Sequence, residues 1–239
     1  MRIGAWTATT LGVVILLVST AAASAGAATA TTVTYKAPYS GAETTLFGGA
    51  SSGCGISATF PVYPSFNATN GHALESVKLT AHSCGAANSS ANIEATAGFT
   101  SATFAPTAGF HHLTANWVLK FSVSLAATPG GGAQQATAFY DVYEGLQLED
   151  LTTGTTVFQN YSPFWSLSIS TGTYAQSFSK VHLSTYLNTT FVTGNSYRFY
   201  TYVTTYPNVF VTTGSSSASA SVNLGSGGKD AVLSSVTIA

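Results

Sequence analysis

The sequence predicts an all-β protein built as an antiparallel β-sandwich, and two observations support that prediction. Apolar residues recur at every second position over several long segments, which is the period of a strand with one buried face. Runs rich in Gly, Ser, Thr and Asn separate these segments, and such residues favour turns. After the N-terminal apolar segment, no stretch shows a convincing helical period, so the chain is expected to form two packed sheets.

The clearest strand covers 112–125, where every second residue is apolar. The alternating residues are Leu113, Ala115, Trp117, Leu119, Phe121, Val123 and Leu125. A Pro-Gly-Gly-Gly segment at 129–132 breaks the chain, and the same period resumes over 136–142. This pattern predicts two antiparallel strands joined by a Gly-rich loop.

Two hairpins are expected further along. The first has strands at 145–151 and 155–159 around Thr152, Thr153 and Gly154, which are residues that accept turn geometry. The second closes the chain, with strands at 217–224 and 230–239 around a Gly-Ser-Gly-Gly segment. Shorter strands are expected at 56–62, 76–82, 93–104, 164–170 and 179–187.

The segment TGNSYRFYTYV, residues 193–203, resembles the E-to-F corner of immunoglobulin-like and fibronectin type III-like sandwiches. In those domains a Tyr opens a strand after a Gly-containing turn. The resemblance implies an architecture of that kind, with a jelly-roll-like arrangement as the alternative, and it carries no functional residue across. Trp117 follows both cysteines, whereas antibody domains place the Trp between them.

The N-terminus has the pattern of a secretory signal peptide over 1–25. A basic start at Arg2 precedes an apolar run at 11–18 and an A-x-A site at 23–25, while a second A-x-A at 28–30 leaves the cleavage position open. Retention of this segment as a membrane anchor is the alternative. The mature chain, 26–239, is expected to be one secreted domain, although boundaries near 126–135 or 159–163 would allow two.

An extracellular location gives meaning to the two cysteines and to four glycosylation sequons. Cys54 and Cys84 are expected to form a disulfide, which would stabilise the fold by roughly 3 to 4 kcal/mol. A reactive or metal-binding thiol pair is the weaker alternative. The sequons begin at Asn67, Asn88, Asn160 and Asn188.

The composition excludes several classes of partner. Charged residues make up 6% of the chain and the net charge is -1, so neither nucleic acid nor anionic membranes are expected partners. No cofactor is expected. The five histidines show no zinc-binding spacing.

Four acidic residues fall within ten positions: Asp141, Glu144, Glu149 and Asp150. We expect them to be solvated on a strand face and at a turn, with Glu149 and Asp150 as a weak Ca²⁺ candidate and catalysis as a remoter option. The G-x-S-x-G match at 49–53 is expected to be a flexible turn before Cys54, because no helix follows it.

The most concentrated candidate for binding is a face of the strand at 196–206. Arg198, Tyr200, Tyr202 and Tyr206 share one side of that strand, opposite the apolar residues. Exposed tyrosines can stack on sugars or anchor a protein interface, unless another sheet or loop covers them.

These features predict a non-catalytic, secreted or cell-surface structural or adhesive glycoprotein, with a place as a subunit of an extracellular assembly as one expected role. The terminal segments around Val33 and Ile238 alternate like strands, so self-association through terminal strands or sheet edges is one expected mode. The alternative is a carbohydrate-binding module or an accessory domain of a secreted hydrolase.

Overall fold

The computed structural model describes residues 32–85 and 87–239, apart from the side chains at 44, 46 and 158–164. The signal peptide predicted at 1–25 lies outside the described residues. Within them the chain forms twelve strands and no helix. The strands are β1 Val33–Tyr35, β2 Gly41–Ser52, β3 Ile56–Asn67, β4 His72–His82, β5 Ser89–Ser101, β6 Gly109–Thr128, β7 Ala136–Asp150, β8 Thr155–Ile169, β9 Gly172–Phe191, β10 Tyr197–Val211, β11 Ser217–Asn223 and β12 Asp230–Ile238.

The strands form two antiparallel sheets that pack as a β-sandwich, which confirms the predicted fold class. Sheet A contains β1, β3, β4, β6, β9, β11 and β12, and sheet B has the order β2-β5-β10-β7-β8. The hydrophobic residues between them form one buried cluster that draws on both sheets. Burial of this surface is the main force that holds the sheets together.

The strand predicted at 112–125 is the centre of β6. Its alternating apolar residues face the core, and Trp117 is 1% exposed. The Trp117 indole Nε1–H donates a hydrogen bond to Thr201 Oγ1 of β10 at 3.0 Å, so the buried ring has a polar partner in the opposite sheet.

The Gly-rich segment after β6 does not join two neighbouring strands, so that prediction was wrong. β6 belongs to sheet A and β7 to sheet B. The segment therefore carries the chain from one layer to the other. The β7–β8 hairpin is confirmed, with Asp150 opposite Thr155 across the predicted turn.

The expected C-terminal hairpin was also wrong. β11 and β12 each lie antiparallel to β6, and they follow each other along it: Asn223 is opposite Ser122, and Asp230 is opposite Lys120. The two strands thus run in the same direction, one after the other, in a single strand position between β4 and β6, here called the shared lane. Residues 224–229 connect the two strands outside this lane. The first of them, Leu224, donates its N–H to Glu75 O of β4 at 2.8 Å.

Tyr197 opens β10 in the manner that the corner resemblance implied. Its side chain is 1% exposed, and its hydroxyl accepts a hydrogen bond from the Val192 N–H at 3.0 Å. A tyrosine that binds the backbone a few residues upstream fixes the turn between two strands of a sandwich.

The terminal strands pair with each other inside the molecule. Val33 lies opposite Ile238 and Tyr35 lies opposite Val236. The terminal segments are therefore joined in one sheet, with β1 at its end beside β12, and self-association through terminal strands or sheet edges stays a prediction. Among the described residues, no helix is both long and apolar enough to cross a bilayer.

Candidate functional site

The tyrosine face lies on the outer surface of sheet B. Its core is formed by Tyr200 and Tyr202, with Arg198 and Tyr206 further along the same side of β10. Residues of the adjacent strands β5 and β7 that point to the same surface lie beside these side chains. Tyr200 lies opposite Thr100 and Gln147, and Tyr202 lies opposite Gly98 and Gly145.

Two glycines create the space that Tyr202 occupies. A Cβ on Gly145 would collide with the Tyr202 ring, and a Cβ on Gly98 would lie 2.6 Å from Tyr202 Cβ. The Tyr202 ring therefore lies over the bare backbone of β7. Tyr200 stacks beside it with ring centroids 4.7 Å apart and planes inclined by 27°.

Polar groups surround this stack. The Tyr143 hydroxyl donates to Glu94 Oε1 at 3.0 Å, and the Thr96 and Thr204 hydroxyls are 2.6 Å apart. Burial, followed by the charge of Glu94, raises the pKa of Tyr143. Burial, followed by interaction with Tyr202, raises the pKa of Tyr200. Both phenols therefore remain protonated donors at neutral pH.

The structure brings together only part of the predicted row of tyrosines. Tyr206 packs edge-on against Phe139 at 6.4 Å, and Arg198 Nε donates to Glu149 Oε2 at 2.7 Å. Tyr202 is only 9% exposed, so the face is a packed layer rather than a row of projecting rings. No second sheet of the described residues covers it, because the opposite side of sheet B packs on sheet A.

Tyr143, Glu94 and Gln147 belong to this face and were not identified from the sequence. Tyr143 lies two residues after Asp141 and so on the same side of β7, which means that its outward direction could have been predicted from the period of two. Its proximity to Glu94 could not, because it depends on the registers of β5 and β7 on the two sides of β10. Thr204 of β10 lies opposite Tyr143 of β7 and opposite Thr96 of β5, two residues from Glu94.

The four clustered acidic residues do not converge, and two of them are not solvated as expected. Glu144 is 1% exposed and faces the core, where its Oε1 accepts a hydrogen bond from the Thr185 hydroxyl. Burial raises the pKa of Glu144 to about 7, partly offset by that bond. Asp141 points to the outer surface, and burial raises its pKa as well.

Asp150 is 5% exposed and holds two turns together. Its carboxylate accepts hydrogen bonds from the Thr152 and Thr153 N–H groups at 2.9 and 3.2 Å and from Asn195 Nδ2 at 2.7 Å. Desolvation alone would raise the pKa of Asp150, but these hydrogen bonds outweigh it and lower the pKa.

The weak Ca²⁺ candidate pair is divided between two roles, because Glu149 binds Arg198 and Asp150 binds turn amides. In the part of the chain that the structure describes, no three His, Cys, Asp or Glu side chains gather closely enough to hold a metal ion.

The disulfide between Cys54 and Cys84 is present, with Cα atoms 5.9 Å apart. The G-x-S-x-G segment before it was expected to be a turn, but residues 49–52 are the end of β2. Three sequon asparagines, Asn67, Asn88 and Asn188, are exposed. Asn160 belongs to β8, and its side chain is not among those that the structure describes.

Comparison with known proteins gives no family for this chain: no family model and no curated protein matches it. Among solved structures, TmCBM61 in complex with β-1,4-galactotriose is 10% identical, covering 70% of this chain and 83% of that chain, at a TM-score of 0.20. The infectious bursal disease virus Gx strain structure is 8% identical, covering 96% of this chain and 40% of that one, at a TM-score of 0.11. Likenesses this distant support no argument about function.

Proposed function

We propose that this protein is a non-catalytic adhesive glycoprotein of the extracellular space or cell surface, and that its tyrosine face binds carbohydrate. The observation that most supports the proposal is the Tyr200–Tyr202 stack, whose Tyr202 ring occupies the space above Gly145. The disulfide is compatible with an oxidising compartment.

The chemistry of the face suits a neutral sugar. Sugar rings offer apolar C–H faces, which pack on aromatic rings, and hydroxyls, which need donors and acceptors. Here two stacked phenols lie beside the Tyr143–Glu94 pair and the Gln147 amide. Phenol and amide groups donate, and the Glu94 carboxylate accepts.

The same face would serve an accessory domain of a secreted hydrolase, because the binding chemistry is identical. Pairing of β1 with β12 inside the molecule weakens the case for self-association through the terminal strands, although β1 lies at the end of its sheet. The tyrosine face therefore gives the adhesive proposal its most specific surface.

Binding of the purified mature protein to a panel of neutral polysaccharides, by affinity electrophoresis and calorimetry, tests this. We expect Tyr200→Ala to weaken binding about tenfold or more, since it removes a ring from the stack. Tyr186→Ala is the matched control, because Tyr186 is a 63% exposed tyrosine on β9 of the other sheet.

A second pair of variants separates the ring's position from its presence. Gly145→Ala should displace the Tyr202 ring and weaken polysaccharide binding, whereas Gly48→Ala should leave polysaccharide binding unchanged. Gly48 lies on the outer side of β2 opposite Glu94, and a Cβ there meets nothing within 4 Å. Wild-type protein that binds no polysaccharide in the panel, or equal binding by Tyr200→Ala, would contradict the proposal.

A further inference from the structure

A cavity of about 330 Å³ lies at one side of the sandwich, between the edge strands β2 and β3. Among the strands of residues 32–85 and 87–239, β2 pairs only with β5 and β3 only with β4, so these strands leave the two sheets open to each other along this side. The cavity is separate from the tyrosine face, which lies on the outer surface of sheet B.

The cavity reaches from the surface into the core. Leu79, Ala91 and Ile93 line its inner part and are 0%, 4% and 7% exposed. Ala58 and Ser51 line its outer part and are exposed. A ligand could therefore enter from solvent and still lose most of its contact with water.

The small size of several lining residues explains the empty space. Gly49, Ala58 and Ala91 stand where larger residues would fill the gap between the layers. The backbone leaves no alternative at Gly49, because a Cβ there would lie 2.7 Å from Asn92 O. A core of this kind normally fills such a volume, since voids forfeit contacts.

Both ends of the cavity are fixed. At one end the β2–β3 connection carries Cys54, whose disulfide to Cys84 ties it to the start of the β4–β5 connection. At the other end Phe47 of β2 meets Phe60 of β3 edge-to-face, with ring centroids 4.7 Å apart. The space is therefore bounded by rigid groups and is pre-formed for a ligand.

The lining selects for the class of ligand. Apart from Ser51 and Asn92, the lining side chains are apolar or absent, and two of them are aromatic. Asn92 lies on the same side of β5 as Glu94, the outer surface of sheet B, where its Oδ1 accepts a hydrogen bond from the Ala50 N–H at 3.2 Å, so the Ser51 hydroxyl is the polar side chain that faces the cavity. No ionisable group lines it, so a charged ligand would lose its hydration without a partner.

We propose that the cavity between β2 and β3 is a binding site for a small monocyclic aromatic molecule with one uncharged hydrogen-bonding group. The ring packs among Phe47, Ile93 and Leu79, and the polar group faces the Ser51 hydroxyl. The volume is at the lower end of the range for small-molecule sites. This site is independent of carbohydrate binding at the tyrosine face.

The test is titration of the full mature protein with p-cresol, followed by NMR of the methyl groups of Ile56, Leu79 and Ile93. We expect saturable shifts at these methyls in the wild type. Toluene, which lacks the hydroxyl, should bind more weakly. Tyr200→Ala should not change p-cresol binding, so failure of the glycan proposal and failure of this one are distinguishable.

A filled-cavity variant and a matched control complete the design. Ala58→Leu places a larger side chain in the cavity and should weaken p-cresol binding at least tenfold. Ser57→Leu adds the same side chain to the other face of β3, opposite Thr80, and should bind as the wild type does. If Ala58→Leu fails to fold, Ala91→Val provides a smaller filling change at a second wall. Absence of saturable shifts in the wild type, or unchanged binding in the folded filled-cavity variant, would overturn the proposal.

Discussion

Glu144 shows how one side chain can couple the stability of the sandwich to pH. It lies on the core face of β7, where the Thr185 hydroxyl is its hydrogen-bond partner and one carboxylate oxygen has none. A carboxylate in such a place loses hydration that a single hydroxyl cannot replace. The protonated form is therefore the one that suits the folded protein.

We expect the free energy of unfolding to fall as pH rises from about 4.5 to about 7, which are the ordinary and the folded pKa of Glu144. Because the folded pKa is the higher one, the stabilisation is complete below 4.5 and is lost as pH rises through 7. It amounts to at most roughly 3 kcal/mol. Burial of Glu75, whose pKa is also raised, acts in the same direction.

Urea unfolding of the wild type and Glu144→Gln across this pH range measures the effect. The glutamine keeps a polar group beside Thr185 but cannot ionise, so its stability should depend less on pH. Glu43→Gln is the control, because Glu43 is exposed. Identical slopes for the wild type and Glu144→Gln would show that Glu144 is not the group responsible.

At the scale of the strands, Tyr197 contributes two local contacts to the turn before β10. The Tyr197 hydroxyl accepts from the Val192 N–H, and the Tyr197 ring packs against Phe191 with centroids 4.6 Å apart. The ring and the hydroxyl thus fix both sides of the β9–β10 connection.

Tyr197→Phe should keep the ring and lose the hydrogen bond, which lowers the free energy of unfolding by about 1 kcal/mol. Denaturant melts with an unchanged slope measure it. Tyr186→Phe removes a hydroxyl from a 63% exposed side chain and should cost much less. Equal losses in the two variants would mean that the corner bond contributes nothing of its own.

Strand identity could be predicted from the sequence because the period of two is local, as the burial of Leu113 to Leu125 on β6 shows. The partner of each strand could not. Gly-rich segments form hairpin turns, sheet-to-sheet connections and excursions from one lane alike, so 129–132 and 225–228 gave no indication of which they were.

The candidate site was predictable to the same extent. Alternation placed Tyr200 and Tyr202 on one side of β10, but the fit of Tyr202 over Gly145 depends on the register of a different strand. Alternation also places Glu144 with Tyr140 and Val142 on the core face. The usual cost of burying a carboxylate argued for solvent instead, and the protonated form reduces that cost.

At the scale of the whole molecule, the disulfide joins two places where the chain changes sheets. Cys54 lies between β2 of sheet B and β3 of sheet A, and Cys84 lies between β4 of sheet A and β5 of sheet B. The bond therefore fastens both layers at one end of the sandwich.

Replacing both cysteines by Ser should lower the free energy of unfolding by roughly 3 to 4 kcal/mol, since a loop of about 30 residues is no longer closed in the unfolded chain. Thermal and urea unfolding of the double variant measure this. The wild type in reducing buffer should show the same loss. A stability equal to that of the oxidised wild type would show that the bond is dispensable.

The shared lane of β11 and β12 has a consequence for how the sandwich is assembled. These strands, at 217–223 and 230–238, lie between β4 and β6, so the interior of sheet A is filled by a late part of the sequence. Before β11 and β12 have been synthesised, β6 can pair with β9 but lacks its strand partners on the other side. During synthesis sheet A must therefore stay in separate parts, the β3–β4 pair, the β6–β9 pair and β1, until β11 and β12 leave the ribosome and join them.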